Sequence, residues 1–309
     1  MAGMKVIGFL SPGQADVLEP FALLDPEPAA GEVLVRVHAA TVNPIDILIR
    51  TCPPAEGMRV VGMDAAGVIE KLGPGTDTDL AVGDAVMAIV VPQGTHGAYS
   101  EKVALPVESV VRAPEGTSHV EAATLPMNGL TARLALDTLG LAPGQVIAVT
   151  GAAGALGGYT IQLAKAEGLT VVADAADKDV ELVKELGADV IVPRGDDFTA
   201  RVREQFPAGV DGLVDGADLK GEVNDALRDG GAVVTISDYQ ETGERGVTYT
   251  FITVPSYSRE RAKLDTLRQQ AEDGTLTLRV ADTFPADQAP EAHRLFEAGG
   301  VRGRLVLTF

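Results

Sequence analysis

The chemistry-bearing residues of this chain begin at a glycine-rich turn. Gly151, Ala152, Ala153, Gly154, Ala155, Leu156 and Gly157 follow a β-branched run, Val146 to Thr150, and lead into a helical pattern from about Leu156. Such a strand–turn–helix can seat a pyrophosphate. Glycines let the backbone turn tightly and approach the phosphates, and the N–H groups of a helix N-terminus offer hydrogen bonds and a positive dipole end. Alone, the turn is equally a bare strand-to-helix connection. A dinucleotide site for NAD usually carries an acid about 20 residues past the motif, on the adenosine ribose. Asp174, at the end of the next strand pattern, meets that spacing and would repel a 2′-phosphate.

Other constellations are missing. His38, His96, His119 and His293 show no paired metal spacing and no neighbouring nucleophile pattern, so they read as structural or surface residues, with His96 the one to watch. Cys52 is the only cysteine, which excludes an intramolecular disulfide and a cysteine-rich zinc site. Neither a Gly-x-Ser-x-Gly nor a Walker motif occurs.

The elements that must position the turn follow a change of period. Residues 1–120 read as short strands with frequent glycine and proline turns: Val33 to Val37, Ala65 to Ile69, Asp84 to Val91 and Gly97 to Val103. That pattern predicts a small barrel-like β domain. Ser118 with Glu121 forms a capping box, and Asn128 to Leu139 is helical. From Val146 strands and helices alternate. The strands are Thr170 to Ala173, Val190 to Val192, Gly212 to Asp215 and Gly231 to Ile236; the helices are Lys178 to Glu185, Phe198 to Gln205 and Glu222 to Leu227. Short, wholly apolar strands in such alternation predict a doubly wound parallel sheet. A helix from Arg259 to Ala271, a strand from Leu276 to Val280, a helix from Gln288 to Ala298 and a strand from Leu305 to Thr308 complete the chain.

With 309 residues, 46% of them hydrophobic, the chain can fill two cores. A formal net charge of −19, dispersed along the chain, argues against a nucleic-acid partner. No apolar run reaches the roughly 18 residues of a membrane span, and no signal pattern opens the chain, so a cytoplasmic protein with no membrane partner is expected.

Read together, several segments resemble the medium-chain dehydrogenase/reductases, specifically the zinc-free quinone oxidoreductase (zeta-crystallin-like) branch. They are Asn43-Pro44-Ile45-Asp46, Val61 to Gly67, Gly129-Leu130-Thr131-Ala132, Ala152 to Gly157, Glu185 to Asp189 and Gly303 to Leu307, in the family's order. The resemblance implies an α/β architecture with a GroES-like β-barrel catalytic domain (1–120 and 267–309) and a Rossmann doubly wound parallel-sheet domain (121–266). Where zinc-containing relatives carry a catalytic cysteine and a histidine, this chain has Asn43 and Met63, neither a good replacement ligand.

The resemblance also assigns site residues. Ala152, Ala153, Gly154, Ala155, Leu156 and Gly157 would lie along the pyrophosphate. Its alignment puts Ala175, not Asp174, at the acid's position; Ala175 and Ala176 leave room for a 2′-phosphate, and Lys178 could pair with it. The balance tips slightly to NADP(H) over NAD(H). Asn43 and Thr131 would face the nicotinamide end as catalytic residues, and Ile236 and Ser237 would offer backbone groups to the carboxamide. A turn-forming Asn43, a buried helix threonine and an exposed helix-start Lys178 are the bland alternatives. The expected function is zinc-independent NAD(P)H-dependent reduction of a small-molecule quinone or activated enone, in a cleft between domains of a homodimer. The rivals are a 2-enoyl thioester reductase and a non-catalytic nucleotide-binding protein.

Overall fold

The computed structural model describes residues 3–52, 56–239 and 244–309. The chain divides into two compact units, one comprising Met1–Met127, Pro255–Gly274 and Leu278–Phe309, the other Asn128–Val254 and Thr275–Thr277.

In the first unit the long strand Glu32–Thr41 is the hub, because most of its side chains are apolar and buried. It pairs antiparallel with Asp64–Leu72, Lys102–Pro106 and the carboxy-terminal strand Arg304–Thr308. Both ends of the chain therefore build one seven-stranded sheet. Val306 lies opposite Thr41 and Ala40 opposite Ala65, which brings three distant segments side by side at one end of the hub strand. A second, three-stranded sheet of Glu19–Leu24, Gly3–Phe9 and Arg59–Val60 covers the core. Its strands, and the helix Pro44–Thr51, went unrecognised in the sequence.

Two expected strands are displaced. The ladder of Gly97 to Val103 starts only at Lys102, with Ser100 making a lone bridge to Val6. A Cβ on Gly97 would lie 2.5 Å from the carbonyl oxygens of Val60 and Val61, so the chain there is pressed against a neighbouring backbone. Near the C-terminus the strand is Val280–Pro285 rather than Leu276 to Val280.

The second unit holds a six-stranded sheet ordered Val190–Pro193, Thr170–Ala175, Val146–Thr150, Val210–Asp215, Leu227–Thr235, Thr248–Phe251. Every pairing is parallel. The chain leaves the central strand Val146–Thr150 towards one edge and later returns to build the other. The C-terminal end of Val146–Thr150 is thus the topological switch point, where ligands bind in such sheets. Ala148, Val172, Leu213 and Val233 pack one face. The expected helix Glu222 to Leu227 is a 3-10 segment, Lys220–Ala226, and Thr248–Phe251 is a sixth strand.

Where 121–266 was expected, the second unit runs from Asn128 to Val254 and takes in Thr275–Thr277. At one end Met127 N donates to Asp64 Oδ1 at 2.6 Å. At the other, Ser109 Oγ donates to the Ser258 carbonyl at 2.7 Å and Arg261 Nε to the Val110 carbonyl at 3.1 Å, which binds the helix Arg261–Glu272 to the first unit. Among the described residues no helix is long and apolar enough to cross a membrane.

Candidate nucleotide-binding site

The glycine turn sits at the switch point. Gly151 has φ +66°, and a Cβ there would come within 2.9 Å of the Gly216 carbonyl, so only glycine fits. Gly154 N donates back to Gly151 O at 2.9 Å, closing the turn, and Gly154 is the extended residue before the helix Ala155–Ala166. A Cβ on Gly157 would lie 2.4 Å from Gly151 O and 2.6 Å from Ala152 Cα, so the helix is seated directly on the turn. Ala152 and Ala153 are buried. The first-turn N–H groups of Ala155, Leu156 and Gly157 have no partner four residues back. The helix is twelve residues long with no acidic side chain in its first turn. Backbone donors at a positive helix end whose first turn carries no acid fit a pyrophosphate.

Asp174 takes a different part from the one its spacing implied. It is buried; Oδ1 accepts from Ala152 N at 2.9 Å and Oδ2 from Arg194 Nε at 2.7 Å. The carboxylate fastens the glycine turn to the neighbouring strand, and its charge is paired. Each oxygen accepts one hydrogen bond within the protein, and the negative charge is paired with a guanidinium. Ala175 is buried, and its carbonyl accepts from Arg194 N at 2.8 Å. Lys178 is exposed in the 3-10 turn Asp177–Asp179.

Ser237 is also more committed than expected. Its N–H donates to Thr235 Oγ1 at 3.2 Å, its carbonyl accepts from Tyr239 N at 2.7 Å, and its hydroxyl donates to Asp218. A local turn engages the backbone groups of Ser237; Ile236, the other residue expected at the carboxamide, is exposed beside it. Asp215 is a brace. Oδ1 accepts from Thr150 Oγ1 at 2.7 Å and Oδ2 from Lys220 N at 2.8 Å. It ties the end of the central strand to a loop in which Asp218 and Lys220 hold φ of 58° and 57°, a conformation costly for residues other than glycine. Thr131 lies in the helix Pro126–Leu139, 6% exposed.

Asn43 lies in the first unit, in a buried polar network at the end of the hub strand. Its Nδ2 donates to Asp64 Oδ2 at 2.9 Å, and its Oδ1 accepts from Arg304 Nη2. The same Nη2 reaches Thr41 Oγ1 at 2.6 Å and Asp64 Oδ2 at 3.2 Å. Asp46 Oδ2 accepts from Asn43 N and Oδ1 from Gly62 N, both at 2.8 Å. Asn43, expected at the nicotinamide end, is wholly buried, and its amide is bonded to Asp64 and Arg304 in this network. Complete burial pushes the Asp46 carboxyl up to about 7. The nearby Asp64 charge adds to that rise, while the two N–H donors and Arg304 oppose it.

A second buried group lies in the same unit. Tyr99 Oη and His293 Nε2 are 3.0 Å apart, and Arg50 Nη2 meets Glu297 Oε1 at 2.6 Å. Burial, then the Arg50 charge, lowers His293 to about 3, and burial raises Tyr99 well above the usual phenol range. His38 and His119 stack with ring centroids 4.8 Å apart. His96 is half-buried, with its pKa lowered by burial. Among the described residues no group of three or more His, Cys, Asp or Glu is placed to hold a metal ion.

Arg194 and Arg304, which hold the carboxylates of Asp174 and Asp64, were not singled out in the sequence. Arg304 had a readable signal: a lone cation in an otherwise apolar strand needs a buried partner. Arg194 had none, because its partner comes from the adjacent strand.

Two family models match the chain: "Alcohol dehydrogenase GroES-like domain" over residues 29–115 and "Zinc-binding dehydrogenase" over residues 186–307. A zinc-type alcohol dehydrogenase-like protein of Staphylococcus epidermidis is 29% identical, with 98% of this chain and 99% of that protein aligned. Two mycobacterial structures, a quinone oxidoreductase and a protein complexed with NADPH, are each 26% identical, with TM-scores of 0.85 and 0.88, covering 99% of this chain and 100% of theirs. The enoyl reductase CurK is 25% identical, with a TM-score of 0.85 over 98% of this chain and 99% of its own. A GroES-like unit built from both chain ends, a parallel-sheet unit with its glycine turn at the switch point, and relatives that match end to end lead to one assignment: the chain belongs to the medium-chain dehydrogenase/reductase superfamily of NAD(P)-dependent oxidoreductases.

Proposed function

We propose that this protein is a zinc-independent, NADPH-dependent reductase of quinones or activated enones. The observation that carries the reading is the cradle at Gly151 to Gly157, where backbone donors lie at a helix end and the carboxylate bonded to the turn, Asp174, is paired with Arg194. Bound there, a reduced nicotinamide dinucleotide supplies the hydride. The chain's own part is to hold the pyrophosphate on the N–H groups of Ala155, Leu156 and Gly157. Thr131 is proposed as a hydroxyl near the nicotinamide, and Asn43 as a positioning residue.

The electrophilic acceptor is favoured by the titratable groups. Tyr99 is buried with a raised pKa, and His293 is buried with its pKa lowered to about 3, so neither suits proton donation at neutral pH. A quinone or enone takes a hydride without a dedicated acid more readily than a simple carbonyl does. Asn43 and Met63, in place of a thiolate and an imidazole, support the metal-independent reading. The similarity to enoyl reductases favours, as second acceptor, an α,β-unsaturated thioester.

The test follows loss of NADPH and NADH absorbance with an o-quinone, a simple enone and a crotonyl thioester, alongside metal analysis. Turnover on the first or second, undiminished by chelation, is expected. Tight nucleotide binding without turnover on any of the three, or activity that tracks stoichiometric zinc, would sink the proposal.

A further inference from the structure

We propose that Arg194, held in place by Asp174, reads the 2′ position of the adenosine ribose and makes the site selective for the phosphorylated cofactor. The inference rests on the dinucleotide reading above and assigns its specificity to a residue pair that the sequence pattern does not expose.

Register explains the placement. Ala175 pairs with Pro193 in the parallel ladder, so the chain leaving Val190–Pro193 passes beside the C-terminal end of Thr170–Ala175. Arg194 N continues that ladder to the Ala175 carbonyl at 2.8 Å. Its side chain returns over the strand end, and Nε meets Asp174 Oδ2 at 2.7 Å. The other oxygen of that carboxylate holds Ala152 N, inside the glycine turn. One buried carboxylate thereby sets the distance between the phosphate-binding turn and a guanidinium.

The guanidinium is oriented from one side only. Its side chain is 43% exposed while that of Asp174 is 3% exposed, and the two Nη groups make no hydrogen bond among the described residues. A planar fork anchored through Nε, on a partly exposed side chain, is suited to bidentate capture of a phosphate. Asp174, which at this spacing would favour an unphosphorylated ribose, becomes the anchor of the opposite preference. Lys178 adds a point charge from the neighbouring turn. Asp177, Asp179, Asp196 and Asp197 flank the two cations in sequence, so a phosphate here must be held by direct contact with the guanidinium rather than by a general basic field.

The test is direct nucleotide binding by calorimetry, with NADPH, NADH, 2′,5′-ADP and 5′-ADP as probes. The proteins are the full chain and its Arg194→Gln, Lys178→Gln and Asp174→Asn variants, with circular dichroism reporting the fold. Wild type should bind NADPH more tightly than NADH, and 2′,5′-ADP more tightly than 5′-ADP. Arg194→Gln should weaken both 2′-phosphorylated probes by about tenfold or more, the scale of one lost charge-assisted hydrogen bond, and change NADH and 5′-ADP by less than about twofold. Lys178→Gln should cost less. Asp174→Asn should weaken all four, because it disturbs the turn as well as the guanidinium. A 2′-phosphate preference that survives Arg194→Gln overturns the proposal, as does wild type binding NADH as tightly as NADPH; in both cases the dinucleotide reading stands. If no probe binds the wild type, that reading itself fails.

Discussion

Replacing Asp46 by asparagine should change the pH dependence of stability in a direction fixed by its burial. The folded carboxyl titrates near 7, against an ordinary value of 3.8. A raised carboxyl pKa means that the folded state binds the proton more tightly than the unfolded chain. The resulting stabilisation is complete below about pH 4 and is lost as pH rises through 7. Integrated between pH 5 and pH 8, wild type loses about 2.5 kcal/mol from this group, at about 1.36 kcal/mol per pKa unit. Asp46→Asn keeps one acceptor for Asn43 N or Gly62 N and turns an NH2 group towards the other, a cost of about 1–3 kcal/mol that does not vary with pH. His293 titrates with the opposite sign. Its lowered value of about 3 makes stability rise with pH up to about 6.5, but it does so equally in both proteins and cancels in their difference. Urea unfolding followed by circular dichroism at pH 5 and pH 8 measures that difference. The variant should lie well below wild type at pH 5 and gain about 2.5 kcal/mol on it by pH 8. A gap that stays constant to within about 0.5 kcal/mol, or widens with pH, would refute the burial argument.

Two further outcomes follow from the close contacts. Gly157→Ala places a methyl against Gly151 O and Ala152 Cα, both backbone atoms, so the helix must lift from the turn; stability should fall by about 1–3 kcal/mol and NADPH affinity by more than tenfold in calorimetry. Arg304→Leu leaves Asp64 and Asn43 without their shared cation and should destabilise the fold by about 3–5 kcal/mol in urea unfolding, while NADPH binding by the refolded protein stays within about twofold.

Local pattern was enough wherever an element states its own environment. The helix Phe198–Gln205 and the strand Val146–Thr150 lie where the period places them, and the capping box at Ser118 and Glu121 is formed, with Glu121 N donating to Ser118 Oγ at 3.2 Å. The misses are segments whose state is set from outside. Glu19–Leu24 has no buried residue, carries Pro20 and shows no apolar–polar alternation, so its pairing with Gly3–Phe9 makes it a strand. Ser237 was assigned from its place after a strand, but its bonds to Thr235 and Asp218 come from loop geometry that no spacing encodes.

The sequence by itself determined the phosphate-seating turn, because glycine's lack of a Cβ is a property of the residue and the required positions follow from one strand and one helix. Its resemblance to the family also suggested Asn43 and Met63 at the places where zinc relatives have ligands. Only the tertiary structure decided what the charged residues do. Asp174 meets Arg194 across a gap of 20 residues, and Arg304 meets Asn43 and Asp64 across gaps of 261 and 240. Such pairs exist because strand register brings their backbones together, and no spacing within one segment encodes that register.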